Sequence, residues 1–247
     1  MIVIPMAGMS SRFFKAGYTQ PKYMLPAHGK TLFSHAVESF SKYFKNEHFL
    51  FIIRDEYNTN EFVIEQAELL GITRYNIVKL DRKTRGQAET VALGIEELIN
   101  NEIVSYEESL TIFNIDTFRP GFSYPNLGNL GAGYLEVFRG EGSNWSFAQP
   151  MSDITTLVKR TAEKKPISDL CCTGLYHFRS LKLYFDAYYD YLKKPKKEWE
   201  KGELYVAPLY NYLINNNHKI HYNLILREHV VFCGIPQEYI DFLELKA

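Results

Sequence analysis

Cysteine is scarce in this chain: Cys171, Cys172 and Cys233 are the only three in 247 residues. An odd, small number in a chain of this length argues against a disulfide framework and fits a reducing cytosol. Long apolar runs are missing too. No stretch approaches the ~20 residues needed to span a bilayer, and residues 1–9 reach glycine and serine too soon for a secretory leader. Charge of one sign is also absent, because 28 Lys and Arg face 29 Asp and Glu for a net charge of -1. No bulk field therefore recruits nucleic acid or an anionic membrane. The densest basic cluster, residues 193–197, is broken by Pro195 and followed by Glu198, as a solvated loop would be. His28, His35 and His48 lack ligand-like spacing, and no Ser, His or Cys constellation for nucleophilic catalysis is evident. A soluble cytoplasmic protein without nucleic-acid or membrane partners is the expectation.

What the chain does have is alternation. Hydrophobic residues make up 46%, enough for one sizeable core at this length. In the first half, short apolar strands at 2–6, 49–53, 76–80 and 110–115 alternate with helical patterns. Leu32, Phe33, Ala36, Val37 and Phe40 share one helix face, as do Phe62 and Ala67, and Val91, Ile95 and Leu98. This is the signature of βαβ units and a mostly parallel sheet. The second half changes to strand-like runs at 134–138, 145–149, 155–160 and 170–178. Helices follow at 181–192 and 204–214, then a strand pair near 221–233 and a C-terminal helix opened by Pro236. No linker stands out. The fold expected is a single α/β domain over 1–247, a three-layer Rossmann-like mixed sheet flanked by helices. Residues 1–118 are expected to be mainly nucleotide-binding and 119–247 mainly acceptor-binding.

The first strand runs into Met6-Ala7-Gly8-Met9-Ser10-Ser11-Arg12. Glycine lets backbone N–H groups approach a ligand closely, and successive N–H groups in a tight turn form an anion nest. In open α/β sheets such a loop, at the carboxyl end of a strand, lies where ligands bind. Arg12 adds a forked, permanently charged donor, and Gln20-Pro21-Lys22 presents a second cation on a stiffened segment. Two cations and a bare backbone suit a polyphosphate, although a tight turn with two surface cations has the same sequence. The pattern is neither a Walker A motif nor G-x-G-x-x-G.

Taken in order, residues 3–13, then Gly17-Tyr18, Pro21-Lys22 and Gly29-Lys30, resemble the signature of sugar-phosphate nucleotidyltransferases, the pyrophosphorylases and cytidylyltransferases that make activated sugars. Thr84-Arg85-Gly86-Gln87-Ala88-Glu89-Thr90 resembles the family's base-recognition stretch, and Asn114-Ile115-Asp116 the site of its metal-binding aspartate. Trp145-Ser146-Phe147, Glu163-Lys164-Lys165-Pro166 and Thr173-Gly174-Leu175 resemble its acceptor-side strands, and Gly234-Ile235-Pro236 its Gly-Thr-Pro turn. The resemblance covers most of the chain and implies a GT-A-like fold with a small acceptor-side β subregion.

It also implies roles. A phosphate oxygen of an acceptor, most readily a sugar 1-phosphate, attacks the α-phosphorus of a nucleoside triphosphate and pyrophosphate leaves. The nucleotide is a pyrimidine one, CTP or UTP/dTTP, as in capsule and lipopolysaccharide enzymes. Met6, Ala7, Gly8, Ser10 and Ser11 would cradle the nucleotide, Arg12 grip its triphosphate, and Lys22 reach the reacting phosphate. Gly86 and Gln87 would meet the base, and Glu163, Lys164, Gly174 and Glu203 the acceptor. Asp116 would hold Mg2+. From the residues alone, Asp116 reads equally as a turn cap, Gly86-Gln87 as a helix start, and Glu163-Lys164-Lys165 as an exposed turn. Phe232 stands where the family often has a second metal aspartate, which leaves one metal or two open. A glycosyltransferase of related fold is the rival, but Asp116-Thr117-Phe118 lacks its Asp-x-Asp. A silent nucleotide-binding regulator is the other, and it would be expected to have lost Arg12, Lys22 or Asp116. The sequence leaves room for a homodimer.

Overall fold

The computed structural model describes residues 1–245. It is α/β, with a central, mostly parallel sheet flanked by helices, as the alternation predicts. The chain condenses into two compact units. The first comprises Ile2–Lys83, Phe113–Ser123 and the described residues from Glu228 onward; the second comprises Thr84–Ile112 and Tyr124–Arg227 with Met1.

In the first unit, Ile2–Pro5 runs parallel to Phe49–Ile53 with Ile2 opposite Phe49, and Phe49–Ile53 runs parallel to Tyr75–Lys79. Every residue of Phe49–Ile53 is buried, as a parallel strand covered on both faces requires, so it reads as unbroken FLFII rather than as an alternating pattern. Thr31 opens the helix Leu32–Val37 by accepting the Ser34 N–H on its side chain. That helix continues as a tighter 3-10 turn through Glu38–Tyr43, with a break at Phe40. Phe40 packs edge-on against Phe49 and Phe113. Phe51 is fully buried and its ring lies 5.4 Å from that of Phe33. Truncating it leaves a ring-sized void that close-packed neighbours cannot refill, so Phe51→Ala is expected to cost about 3–5 kcal/mol, read from denaturant midpoints at constant slope.

In the second unit, Leu170–Phe178 is antiparallel to Gly133–Arg139, and Ile220–Ile225 is parallel to Gly133–Arg139. Val158–Glu163 is antiparallel to Ser146–Pro150, with Glu163 opposite Ser146. Three local expectations are corrected. The strand expected at 155–160 begins at Val158, because the chain up to that point is taken up by a turn in which Met151 N–H donates to Leu157 C=O. The helix expected from 204 begins as a 3-10 turn at Ala207 and becomes α-helical at Tyr210; Leu204 instead exchanges backbone hydrogen bonds with Arg85 and Ala88. The two late strands do not pair with each other: Ile220–Ile225 joins Gly133–Arg139, and Val231–Phe232 joins Thr117–Phe118. Among the described residues no helix is long and apolar enough to cross a membrane.

Candidate functional site

The buried strand Ile2–Pro5 delivers Met6 and Ala7, both buried, and then the chain surfaces at Gly8 and Met9. A Cβ built on Gly8 would meet no protein atom within 4 Å. Packing within the chain therefore does not demand a glycine there; the open space admits a ligand against the backbone. Ser10 takes a left-handed conformation (φ 47°) before the short helix Ser11–Lys15, and Arg12 is exposed on its first turn. The Ser10 hydroxyl accepts the Lys22 N–H at 3.2 Å, which ties the loop to the 3-10 turn Lys22–Met24.

From that turn Lys22 Nζ reaches Asp116 Oδ2 at 2.5 Å, with the side chains 18% and 27% exposed. Asp116 follows the strand Leu110–Phe113 and stands one residue before Thr117–Phe118. The loop, Lys22 and Asp116, separated by 94 positions in the sequence, thus converge within the first unit. Gly8, Ser10 and Met6 also line a concavity with Arg54, Glu56 and Tyr57. Arg54 pairs with Glu56 and contacts the Met9 sulfur. Arg54 belongs to no motif in the sequence; its place after Phe49–Ile53, at the carboxyl end of a parallel strand, is the signal that marks it.

The remaining candidates lie in the second unit. Gly86 precedes the helix Gln87–Asn100 with φ 152°, and a Cβ on it would overlap Leu204 N and O at 2.5 Å. Leu204 N–H donates to Arg85 C=O, and Ala88 N–H to Leu204 C=O. The close backbone approach that glycine permits here is thus to Leu204, which brings Glu203 and Leu204 beside Gly86 and Gln87. The two glycines should therefore separate in their effects. Gly86→Ala is expected to lose more than ~1 kcal/mol of stability, whereas Gly8→Ala should melt like the parent and bind nucleotide more weakly; thermal melts with and without CTP or UTP distinguish them.

Glu163 is buried and its Oε2 accepts from the Ser146 hydroxyl, while Lys164 Nζ lies 3.9 Å from Oε1. Lys164 is left-handed (φ 51°), and its Nζ meets the Tyr205 hydroxyl at 2.6 Å and lies 4.6 Å from that ring's centroid. The Glu163 N–H donates to a carboxylate oxygen of Glu200. Burial raises the Glu163 carboxyl above its usual range, against the lowering effect of the Ser146 hydrogen bond and of Lys164, with Glu200 and Glu203 adding to the rise. Burial raises Glu200 as well. Exposed Glu203 is joined to this group through its charge. Gly174 has φ 96° and sits where the register of Leu170–Phe178 against Gly133–Arg139 shifts, so the bulge alone accounts for a glycine. Glu200 and Tyr205 had no motif to mark them; only the fold sets them against Glu163 and Lys164.

Magnesium usually takes one or two carboxylates and completes its octahedron with water and substrate phosphate oxygens. Asp116, a carboxylate at a strand end joined through Lys22 to the Gly8–Ser10 loop, fits that demand. Phe232 pairs in register with Thr117 and offers no ligand atom, and among the described residues no cluster of three or more His, Cys, Asp or Glu forms a self-sufficient cage.

No protein-family model matches the chain, and no curated protein sequence does. Among solved structures it is similar to the nucleoside-diphosphate-sugar pyrophosphorylase from Vibrio cholerae RC9, with 60% identity over 99% of this chain and 100% of that one and a TM-score of 0.95. It is also similar, at 15% identity and a TM-score of 0.73 over 100% of this chain and 96% of the other, to a putative glucose-1-phosphate thymidylyltransferase from Bacillus anthracis. The inositol-1-phosphate CTP transferase from T. maritima matches at 13% identity and a TM-score of 0.69, over 98% of this chain and 94% of that one. At these lower identities the likeness is one of fold.

Proposed function

The chain belongs to the sugar-phosphate nucleotidyltransferases and is an enzyme of that class, and on that premise we propose that it transfers a nucleoside monophosphate from a pyrimidine triphosphate, CTP or UTP/dTTP, to a sugar 1-phosphate. The product would feed capsule or surface-polysaccharide synthesis from the cytoplasm. The observation that carries the reading is the convergence of the Gly8–Ser10 loop, Lys22 and Asp116, a cation and a carboxylate held together beside open backbone.

An oxygen of the acceptor phosphate forms the new bond to the α-phosphorus. The bond from that phosphorus to the α,β-bridging oxygen breaks, and pyrophosphate leaves with the electron pair. The nucleophile is already ionised near neutral pH, so no general base is needed, and the protein's work is positioning and charge neutralisation. Backbone from Met6 to Ser11 cradles the phosphates, Arg12 grips the outer ones, and Lys22 follows the charge that develops at the reacting centre. Asp116 would hold Mg2+, which when bound would neutralise charge on phosphate oxygens. Gly86 and Gln87 form the base side; Glu163 and Glu203 accept from acceptor hydroxyls, and Lys164 binds the acceptor phosphate.

Ionised, Glu163 accepts from hydroxyls on both oxygens with charge-assisted strength; protonation turns one oxygen into a donor and weakens that hold. Because its folded pKa is raised, it takes up its proton earlier as the pH falls than an ordinary glutamate does. The acid limb of kcat/KM for the acceptor is therefore expected above the usual carboxylate range, and Glu163→Gln should remove that limb while lowering the plateau. A screen of nucleoside triphosphates against phosphorylated acceptors, followed by pyrophosphate release, tests the function. Turnover with a pyrimidine triphosphate and a sugar 1-phosphate is expected; nucleotide binding without release for any acceptor would favour a regulatory protein instead.

A further inference from the structure

The Gly234–Pro236 turn leans on Asp116. The antiparallel pairing of Val231–Phe232 with Thr117–Phe118 brings it there, and the Cys233 N–H donates to the Asp116 C=O at 2.8 Å. A Cβ on Gly234 would lie 3.1 Å from Asp116 Oδ2 and 3.5 Å from Glu238 Oε2. Two carboxylates therefore flank the same glycine. Glu238, in the first turn of the helix Pro236–Glu244, accepts the Gly234 N–H at 2.7 Å and the Ile235 N–H at 3.2 Å on that same oxygen. Their charges also meet at one atom: after burial, Glu238 and then Asp116 push the Cys233 thiol up, to about 12, with Lys22 opposing.

We propose that Glu238 is a positioning residue for Asp116: by taking the Gly234 and Ile235 N–H groups, it keeps them from capturing the Asp116 carboxylate. Both residues are half-buried, and an N–H group that loses its acceptor there turns to another acceptor within reach. With Glu238 removed, the carboxylate oxygen left beside the turn is Asp116 Oδ2, which lies 3.1 Å from the position of a Cβ on Gly234 and is the atom that holds Lys22. Asp116 would then be drawn toward the turn and away from Lys22 and from the metal. Glu238 thus does for this corner what an outer-shell hydrogen bond does for a metal ligand, and outer-shell partners of that kind change metal affinity or activity by about 10–100-fold. The inference rests on the reading of Asp116 as the metal-holding carboxylate.

The test measures Mn2+ binding by electron paramagnetic resonance, on the full chain with CTP or UTP present, for wild type, Glu238→Ala, Glu238→Gln and Asp116→Ala. Glu238→Ala is expected to weaken Mn2+ binding about tenfold and to lower kcat with the acceptor KM unchanged. Glu238→Gln, whose amide oxygen still accepts both N–H groups, should restore binding to within about twofold. A simple helix-capping role would lower the melting temperature of Glu238→Ala and leave Mn2+ binding alone. Unchanged Mn2+ binding in Glu238→Ala, with binding lost in Asp116→Ala, overturns the role of Glu238 only; unchanged binding in both overturns the role of Asp116 as well. If Glu238→Ala does not fold, Glu238→Asp, one methylene short of the turn, carries the same test and should bind Mn2+ more weakly than Glu238→Gln.

Discussion

Lys22→Ala should lower kcat by two orders of magnitude or more, with a smaller change in the KM for nucleotide. A preorganised donor aimed at developing charge contributes about 10²–10³ in rate, and a cation acting on a transferring phosphoryl group can reach about 10³–10⁵. Lys22 is set up for such work. Its backbone N–H is fixed to Ser10 and its ammonium is held at Asp116, so the cation already stands beside the loop when the substrate arrives. The loss should not come from unfolding. Both side chains are partly exposed, so solvent screens the pair and breaking it costs about 1–2 kcal/mol. Near-normal turnover in a folded Lys22→Ala variant would remove Lys22 from the mechanism. Lys22→Arg should recover only part of the rate, because a wider planar fork cannot reproduce an ammonium at 2.5 Å from one carboxylate oxygen.

Asp116→Asn should cost about as much as losing a cation at the reacting phosphate, ~10³ in kcat, and should add a steep demand for metal. The amide keeps the shape but loses the charge that a hard cation requires. It also leaves Lys22 without its counter-charge, so the effects of Lys22→Ala and Asp116→Asn should not add. The double variant is expected to fall close to the worse single one, since the residues act as a unit. Additive losses would mean that the ion pair is a structural coincidence. Titrating Mg2+ against initial rate for the three variants separates these outcomes.

Much of this was legible in the residues. The unbroken apolar run Phe49–Ile53 announced a buried strand, because its chemistry is local, and Gly8, Arg12 and Lys22 pointed to the proposed phosphate grip. What escaped were features set by distant partners. Thr155 to Leu157 have strand-like composition, yet they close a turn. Ile220–Ile225 pairs with Gly133–Arg139, some ninety positions away, and nothing in either segment names the other. Gly86, read in sequence as a base contact, has an immediate structural cause of its own: its missing side chain makes way for the backbone of Leu204. Glu200, Tyr205 and Glu238 look like ordinary surface residues in sequence, since a carboxylate that catches a backbone N–H leaves no spacing signature. Arg54 was within reach of a rule about strand ends.

The proposed reaction is direct transfer from nucleotide to acceptor phosphate at the Lys22–Asp116 pole. Its most direct test follows the α-phosphorus of labelled CTP or UTP in the presence of a sugar 1-phosphate. The prediction is that label passes into a nucleoside diphosphate sugar as one unlabelled pyrophosphate is released per product, and that both cease together in Lys22→Ala and Asp116→Asn. Label appearing as free nucleoside monophosphate whether or not acceptor is present, or transfer that survives in both variants, would contradict it.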